Sequence, residues 1–194
     1  MISQFRLAAC AVTLAVWQAV AVSQSAAPTT ATDVSAADIR ATIAAAPPDG
    51  ILDQQIRVVD MGKYNVAVGV LHRSAKPAQQ GAIDHAQVTE VYHIIDGSAT
   101  LVTGPDLVGK KRRPATLETV RLFNGPGNNS ESIRGGVTHQ LKAGDVIVIP
   151  AGTGHWFTKI DDHITYLMVR IDPDKKTPVR DEAASKAYLS KPKG

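Results

Sequence analysis

Residues 55–173 consist of short apolar runs separated by Gly, Pro, Asn and Asp. This pattern is typical of a protein built from β-strands and tight turns. Over residues 64–73, bulky side chains alternate with smaller or polar ones, which is the period of two of a strand with one buried face. We predict that this buried face carries Tyr64, Val66, Val68, Val70 and His72.

Further strands are predicted at 88–95, 99–103, 116–123, 137–141, 145–149, 155–158 and 164–171. Asp96, Gly97 and Ser98 favour a hairpin between the first two of these. Residues 124–136 are polar and contain four glycines, which favours a mobile loop that gates a pocket. A single chain of 194 residues with about eight or nine short strands and no repeated unit predicts one all-β domain.

The N-terminus has the pattern of a secretory signal peptide. One positive charge, Arg6, precedes an apolar run over residues 7–22, and the small residues Ala21 and Ser23 place cleavage before Gln24. A second cut after Ser25 and a retained membrane anchor are the alternatives. We expect a periplasmic or secreted protein that has no membrane contact after cleavage.

The composition limits which metal ligands and binding partners are expected for the chain after signal-peptide cleavage. Cys10 is the only cysteine and would be removed with the signal peptide, so a metal would have to be held by nitrogen and oxygen. The net charge of +3 is too small to indicate a nucleic-acid partner. The basic run at residues 110–113 has no interleaved aromatic residues and is expected to be a solvated loop.

The predicted organisation has four parts: a signal peptide at 1–23, a spacer with a short helix at 24–54, a barrel at 55–173, and a tail at 174–194. Ser35 and Asp38 favour the start of the first helix, and Ile39 and Ile43 share one of its faces. A second short helix is predicted at 181–189.

Two stretches carry a family resemblance. Residues 143–157, AGDVIVIPAGTGHWF, are similar to the second motif of the cupin superfamily, G-x5-P-x-G-x2-H-x3-N. Gly144, Pro150, Gly152 and His155 occupy the motif positions, and Lys159 stands at the final Asn position. The resemblance implies that the all-β domain is a cupin-type double-stranded β-helix, a jelly-roll barrel, which lies between the predicted short N- and C-terminal helices.

The first cupin motif, G-x5-H-x-H-x3,4-E-x6-G, is degraded in this sequence. Residues 84–97, DHAQVTEVYHIIDG, place Glu90 and Gly97 at the required spacing and His85 at the second His position. Ile83 stands where the first histidine would be, and Pro77 stands at the first Gly position.

Strand parity supports part of this site independently. His155 shares a face with Phe157 in a buried strand, where a histidine needs a metal or a hydrogen bond as partner. Glu90 shares parity with Tyr92 and Ile94, which favours an inward orientation. His85 has the opposite parity from Glu90, so a turn must separate them, and the resemblance implies that they lie on neighbouring strands across that turn.

The resemblance implies that His85, Glu90 and His155 hold one divalent metal ion. Two imidazoles and one carboxylate leave metal positions open for a substrate or oxygen and suit iron, manganese, nickel or zinc. His72 is an alternative extra ligand, and Gln87 is a weaker one. Further expected pocket residues are Tyr92, Phe157 and Tyr166.

Two functions remain open at this point. The resemblance implies a metal-dependent enzyme, of oxygenase or isomerase type, that acts on a small organic molecule. The alternative is a noncatalytic binding or sensing module that has lost its metal, which the absent first histidine would allow. A homodimer is left open in both cases.

Overall fold

The computed structural model describes residues 30–47, 51–76 and 79–190. In these ranges, helices α1 (Ala36–Ile43) and α2 (Glu182–Leu189) flank the strands. The strands are β1 (Ile51–Asp60), β2 (Asn65–Ser74), β3 (Ala82–His85), β4 (Thr89–Gly104), β5 (Leu107–Val108), β6 (Lys111–Arg112), β7 (Gly127–Ser130), β8 (Ser132–Ile133), β9 (Val137–Lys142), β10 (Val146–Ile149) and β11 (Gly154–Asp172).

Strand β11 is the centre of the sheet. It pairs antiparallel with β2, β3 and β4, and β1 extends the sheet from β2. Strands β10 and β9 pair with the first and second halves of β4, while β7 joins β3 to β6. Because β4 and β11 are long and interrupted by register shifts, both halves of the molecule share them and the sheet wraps around one core. The predicted all-β jelly-roll barrel is confirmed.

The predicted hairpin at residues 96–98 is wrong. Strand β4 continues through this segment, and Gly97 pairs with Ile164 of β11. Gly97 has a φ of +81°, and a Cβ atom there would lie 2.0 Å from the carbonyl oxygen of His163. The turn-forming residues therefore bend one long strand, as do residues 159–163, which join two predicted strands into β11.

Residues 116–136 also differ from the expectation. In place of a strand at 116–123, the chain forms a π-helical turn, Val120–Asn124. The predicted mobile gate contains β7 and β8, and β7 pairs with β3 so closely that a Cβ at Gly127 would lie 2.0 Å from the carbonyl oxygen of Asp84. Part of this segment is therefore held in the fold by strand pairing and is not an open loop.

The predicted face of β2 is only partly buried. Val70 is fully buried as predicted, but Val66, Val68 and His72 are half-buried and Tyr64 is exposed. The opposite face, with Ala67, Gly69, Leu71 and Arg73, is the one that faces the interior. A Cβ at Gly69 would lie 3.0 Å from the terminal methyl of Met168. At position 69 a glycine faces inward because the Met168 side chain of β11 and the backbone of β1 fill the space beside it.

Two short helices lie at the ends of the described chain, near the predicted positions. Strand β1 begins at Ile51, slightly before the predicted start of the barrel at residue 55. Ser35 caps α1 by accepting a hydrogen bond from the Asp38 amide, and Asp181 caps α2. The predicted signal peptide lies outside the described residues. No helix of the described segments has the length and apolar character needed to cross a membrane.

Candidate metal centre

A turn separates His85 from Glu90, as parity requires. His85 is the last residue of β3, and β4 begins at Thr89. Both strands pair with β11, so the side chains of His85 and Glu90 enter the interior from neighbouring strands. His85 is 3% exposed and Glu90 is fully buried.

The turn of the second motif fixes the third residue of the site. Gly152 has a φ of +78°, and its amide donates a hydrogen bond to the carbonyl oxygen of His85 at 2.7 Å. The neighbouring Ala151 amide donates to the Thr89 hydroxyl at 3.2 Å. These two bonds attach the start of β11 to the β3–β4 turn, so His155 is held beside His85.

The three predicted ligands meet inside the barrel. The His85 Nε2 atom lies 3.4 Å from Glu90 Oε2, and the His155 Nε2 atom lies 3.7 Å from the same oxygen. The centroids of the two imidazole rings are 5.1 Å apart. All three residues are buried, so the cluster is shielded from bulk water.

Glu90 is held by two further side chains. Its Oε1 accepts a hydrogen bond from Arg170 Nε at 2.7 Å, and its Oε2 accepts one from the Tyr92 hydroxyl. Burial by itself raises the pKa of Glu90, but His85 and Arg170 outweigh burial and hold that pKa well below its usual range. Burial and the Glu90 charge raise the pKa of Tyr92 well above its usual range. Glu90 is therefore a carboxylate and Tyr92 a neutral donor.

Arg170 is itself oriented by a second carboxylate. Its two terminal nitrogens contact the two oxygens of Asp53 at 3.0 and 2.9 Å, and Nη1 also donates to the carbonyl oxygen of Phe123 at 3.3 Å. Burial lowers the pKa of Arg170, but Asp53 and Glu90 outweigh it and raise that pKa. The guanidinium therefore remains charged and fixes Glu90 from behind.

His155 is prepared for coordination. Its Nδ1 lies 3.2 Å from the carbonyl oxygen of Thr153, so with the proton assigned to Nδ1 the Nε2 lone pair faces Glu90. Burial lowers the pKa of His155 to about 4, which makes the ring neutral at neutral pH. The His85 Nδ1 atom is buried and has no hydrogen-bond partner among the described residues.

These donors fit a divalent metal ion. The ligand atoms of His85, Glu90 and His155 all lie within 4.8 Å of one another. Two atoms bonded to one ion at about 2.1 Å can be at most about 4.2 Å apart. The two nitrogen–oxygen separations of 3.4 and 3.7 Å satisfy this limit, and Glu90 offers one oxygen because Arg170 engages the other.

The structure does not bring the two alternative ligands to this cluster. His72 lies on the outer side of β2, where its Nδ1 contacts the Thr165 hydroxyl at 2.8 Å and its ring stacks on His163. Gln87 donates a hydrogen bond to Asp174 at 2.6 Å. Ile83, in register with His155, puts an apolar side chain at the position of the missing motif histidine.

The three predicted pocket residues are buried together. The ring centroids of Tyr92 and Tyr166 are 4.3 Å apart, and those of Phe157 and Tyr166 are 5.9 Å apart. Tyr92 contacts Glu90, so the aromatic group begins at the candidate metal centre and continues into the barrel core.

Sequence reasoning did not identify Arg170, Asp53 or Arg73. Arg170 shares parity with Ile164, Tyr166 and Met168, and that pattern was the available signal for burial. Asp53 lies on β1, far from Arg170 in sequence, and no local pattern links the two. A groove of about 790 Å³ lies elsewhere, between the N-terminal segment, β1 and α2, and does not include the interior cluster.

Comparisons with known proteins give fold-level likenesses. No protein-family model and no curated protein matches this chain. The EutQ protein of Clostridium difficile is 14% identical over 74% of this chain and 82% of its own, with a TM-score of 0.38. A cupin protein from Bacteroides fragilis is 13% identical over 68% and 83%, with a TM-score of 0.35. Hydroquinone 1,2-dioxygenase from Sphingomonas is 13% identical over 59% and 61%, with a TM-score of 0.38.

Sequence identities and TM-scores this low do not assign the protein to a class. The assignment therefore rests on the strand pairing and the side-chain positions of this chain. The antiparallel barrel, the intact turn of the second motif and the interior His85–Glu90–His155 cluster define an all-β barrel protein with a candidate metal centre, as the cupin resemblance implies. The resemblance found in the sequence is thereby supported by strand pairing and by side-chain placement.

Proposed function

We propose that this protein is an exported cupin that binds one divalent metal ion through His85, Glu90 and His155. With that ion it acts as an enzyme of oxygenase or isomerase type on a small organic molecule. The observation that carries the proposal is the convergence of three buried donors within 4.8 Å of one another.

When bound, such an ion would supply Lewis-acid or oxygen-binding chemistry at open coordination positions. The residues of the chain prepare the site for it. Arg170 engages Oε1 of Glu90 and leaves Oε2 facing the two histidines, and the Thr153 carbonyl orients His155. The Tyr92 hydroxyl donates a hydrogen bond to the same Oε2 atom. All of these groups are buried, so bulk water is kept away from them.

The direct test is metal content. The EDTA-treated parent protein, H155A, E90Q and the control H93A are each titrated with iron(II), manganese, nickel or zinc, and bound metal is measured by elemental analysis. We expect about one ion per chain for the parent and for H93A, because His93 is exposed and outside the cluster. H155A and E90Q should retain little metal. A parent that binds no ion, or variants with full occupancy, would contradict the site.

A noncatalytic module without metal is the second candidate, and one observation favours it. Glu90 already has a cation, Arg170, and a donor, Tyr92, so its charge is compensated without an ion. In that case the cluster would stabilise the barrel interior and small molecules would bind without coordination chemistry.

The I83H variant separates the two candidates, because it restores the missing motif histidine in register with His155. For a metal site, a further imidazole should tighten zinc affinity by about tenfold or more. If neither the parent nor I83H binds metal, the noncatalytic candidate is favoured. The control I160H adds a histidine at a half-buried position elsewhere on β11 and should leave zinc affinity unchanged.

Export is a separate part of the proposal. The apolar run and the small residues before Gln24 support cleavage at that point. N-terminal sequencing of protein from cell fractions should find Gln24 first, in the periplasm or medium. An intact Met1 on protein recovered from the cytosol would contradict export.

A further inference from the structure

A row of oxygen-bearing side chains crosses three strands at one end of the barrel. Asn65 begins β2, where it pairs in register with Asp60 of β1 on one side and with Asp172 of β11 on the other. Residues directly opposite each other in an antiparallel sheet share a face, and their Cβ atoms lie about 4.5–5.5 Å apart. Asn65 and Asp172 are 2% and 1% exposed, so both side chains lie inside the molecule.

Thr177, in the loop after β11, fixes the direction of both buried side chains. Its carbonyl oxygen accepts a hydrogen bond from Asn65 Nδ2 at 2.9 Å, which turns the amide oxygen of Asn65 away from that carbonyl. The amide and the hydroxyl of Thr177 both donate to Asp172 Oδ2, at 2.8 and 2.9 Å. Thr177 therefore engages one atom of each side chain and leaves the other oxygen of each to a different partner.

These two oxygens, Asn65 Oδ1 and Asp172 Oδ1, are buried acceptors with no hydrogen-bond partner among the described residues. In the same segments, no Lys, Arg or His nitrogen lies within 4.0 Å of the Asp172 carboxylate, and the nearby Lys175 contacts Asp60 at 2.6 Å. A carboxylate removed from water without a counter-charge is costly, and a buried acceptor without a donor adds to that cost. One positive group between the two oxygens would satisfy both.

The chemistry of the two acceptors selects a hard cation. Calcium takes carboxylate and amide oxygens at 2.3–2.6 Å in a flexible geometry, so two oxygens on one ion can be up to about 5 Å apart. Side chains that are neighbours in register can meet this limit. Magnesium demands a stricter octahedron at shorter distances, and transition metals favour nitrogen or sulfur. A buried water molecule could donate to both oxygens but would leave the charge of Asp172 uncompensated.

We infer that Asp172 Oδ1 and Asn65 Oδ1 are ligands of one calcium ion, at a site separate from the candidate metal centre. Water molecules would complete its coordination, since Asp60, with 33% of its side chain exposed, extends the row toward solvent. The ion would attach the Thr177 loop, which leads to α2, to β2 and β11. So few protein oxygens predict weak binding, with a Kd of about 10⁻⁴–10⁻³ M, as in extracellular calcium modules.

The D172N variant removes the charge of Asp172 and keeps the shape of its side chain. Its amide nitrogen can donate to Asn65 Oδ1, so both oxygens of the site are satisfied without an ion. The matched control is D174N, because Asp174 is an exposed carboxylate in the same loop. Dialysed, EDTA-treated proteins are titrated calorimetrically with calcium. Parent and D174N should bind about one ion per chain with equal Kd, and D172N should bind about tenfold or more weakly.

Three results of this titration would overturn the inference. The first is a parent that binds no calcium at 10 mM, as a buried water molecule predicts. The second is D172N with the affinity of the parent. The third is magnesium that binds the parent as tightly as calcium, which indicates exposed carboxylates. N65A tests the other ligand while the bonds between Thr177 and Asp172 remain, and its affinity should also fall about tenfold. Unchanged affinity of N65A would count against the site.

Thermal unfolding separates calcium binding from a purely structural role of Asp172. Calcium at 10 mM should raise the melting temperature of the parent and D174N by about 3 °C and leave that of D172N unchanged. Without calcium, D172N should melt at the temperature of the parent or higher. A lower melting temperature with calcium protection retained would show that Asp172 only holds the loop. H155A should bind calcium as the parent does, so failure of the candidate metal centre would not affect this result, whereas loss of calcium from H155A would refute a separate site.

Discussion

Arg170 and Arg73 lie on adjacent strands and face the same barrel interior, but their surroundings differ in kind. Arg170 contacts two carboxylates, Glu90 and Asp53, through charge-assisted hydrogen bonds of 2.7 to 3.0 Å. Arg73 contacts a phenol at 3.5 Å and an aromatic ring. One end of the interior has matched charges, and the other has a cation without a counter-ion.

Paired and unpaired buried charges have different effects on the stability and geometry of the barrel interior. Matched buried charges contribute little net stability, but they fix the geometry of the groups they join, and removing one member is severely destabilising. A buried charge without a counter-ion lowers stability. The Arg170 end therefore holds the candidate metal ligand Glu90 in place, whereas Arg73 has no comparable role in fixing its neighbours.

The largest loss of stability should come from breaking the ion pairs of Arg170 with Glu90 and Asp53. R170M leaves the buried Glu90 and the partly buried Asp53 without a cation, so we expect the free energy of unfolding to fall by about 3–5 kcal/mol. Urea denaturation measures this change. The control R112M replaces an exposed arginine of β6 and should change stability by less than about 0.5 kcal/mol. Equal stability of the two variants would show that Arg170 does not hold the interior together.

A smaller effect is expected from Tyr92. Y92F removes one hydrogen bond to the buried Glu90 carboxylate, which should cost about 1.5–3 kcal/mol in urea denaturation. The neighbouring ring provides the control: Y166F removes a hydroxyl that lies 3.5 Å from Arg73 Nε, so a loss under about 1 kcal/mol is expected. If Y166F were the more damaging variant, the assignment of the two ends would be reversed.

The smallest effect should come from an exposed network on the outside of the barrel. Hydrogen bonds to Asp162 and Asp96 raise the pKa of His163, while burial opposes them. The stacked His72 has a pKa lowered by burial and by His163, so it is mainly neutral when His163 is charged. Because the raised pKa belongs to the folded state, charged His163 stabilises the protein below about pH 6.5, and this contribution is lost as pH rises through the folded pKa.

The H163Q variant tests this sign. Its melting temperature should be about 2 °C below that of the parent at pH 5.5, with no difference at pH 9. Scanning calorimetry at the two pH values measures both. A deficit that grows with pH would mean that His163 stabilises the fold in its neutral form.

Much of the candidate site was predictable because its residues carry local signals. His155 follows a complete turn motif, Glu90 shares parity with buried apolar neighbours, and the opposite parity of His85 required the turn that the structure contains. The all-β class followed from the recurrence of short apolar runs and turn residues. These features depend on residues close together in the chain.

The parts that could not be predicted depend on distant strands. An Asp-Gly pair such as Asp96–Gly97 forms a hairpin turn in many sequences. Here the residues of β4 before and after this pair both bond to β11, so the strand continues. The inner face of β2 is set by Met168, which fills the space beside Gly69. Asp53 meets Arg170 from a strand more than a hundred positions away, a pairing that no local period contains.

Strand β11 has a consequence for how the barrel folds. It joins β2, β3 and β4, and it contributes His155 at one end and Arg170 at the other. Most of the pairs it makes link residues far apart in sequence, so loop-closure entropy must be lost before they form, and folding is expected to be slow. During synthesis β2 and β4 are made before β11, which lies between them in the sheet. Their edges therefore stay unpaired until β11 has been made. The last long strand to be made is therefore the one that closes the barrel and completes the candidate metal centre.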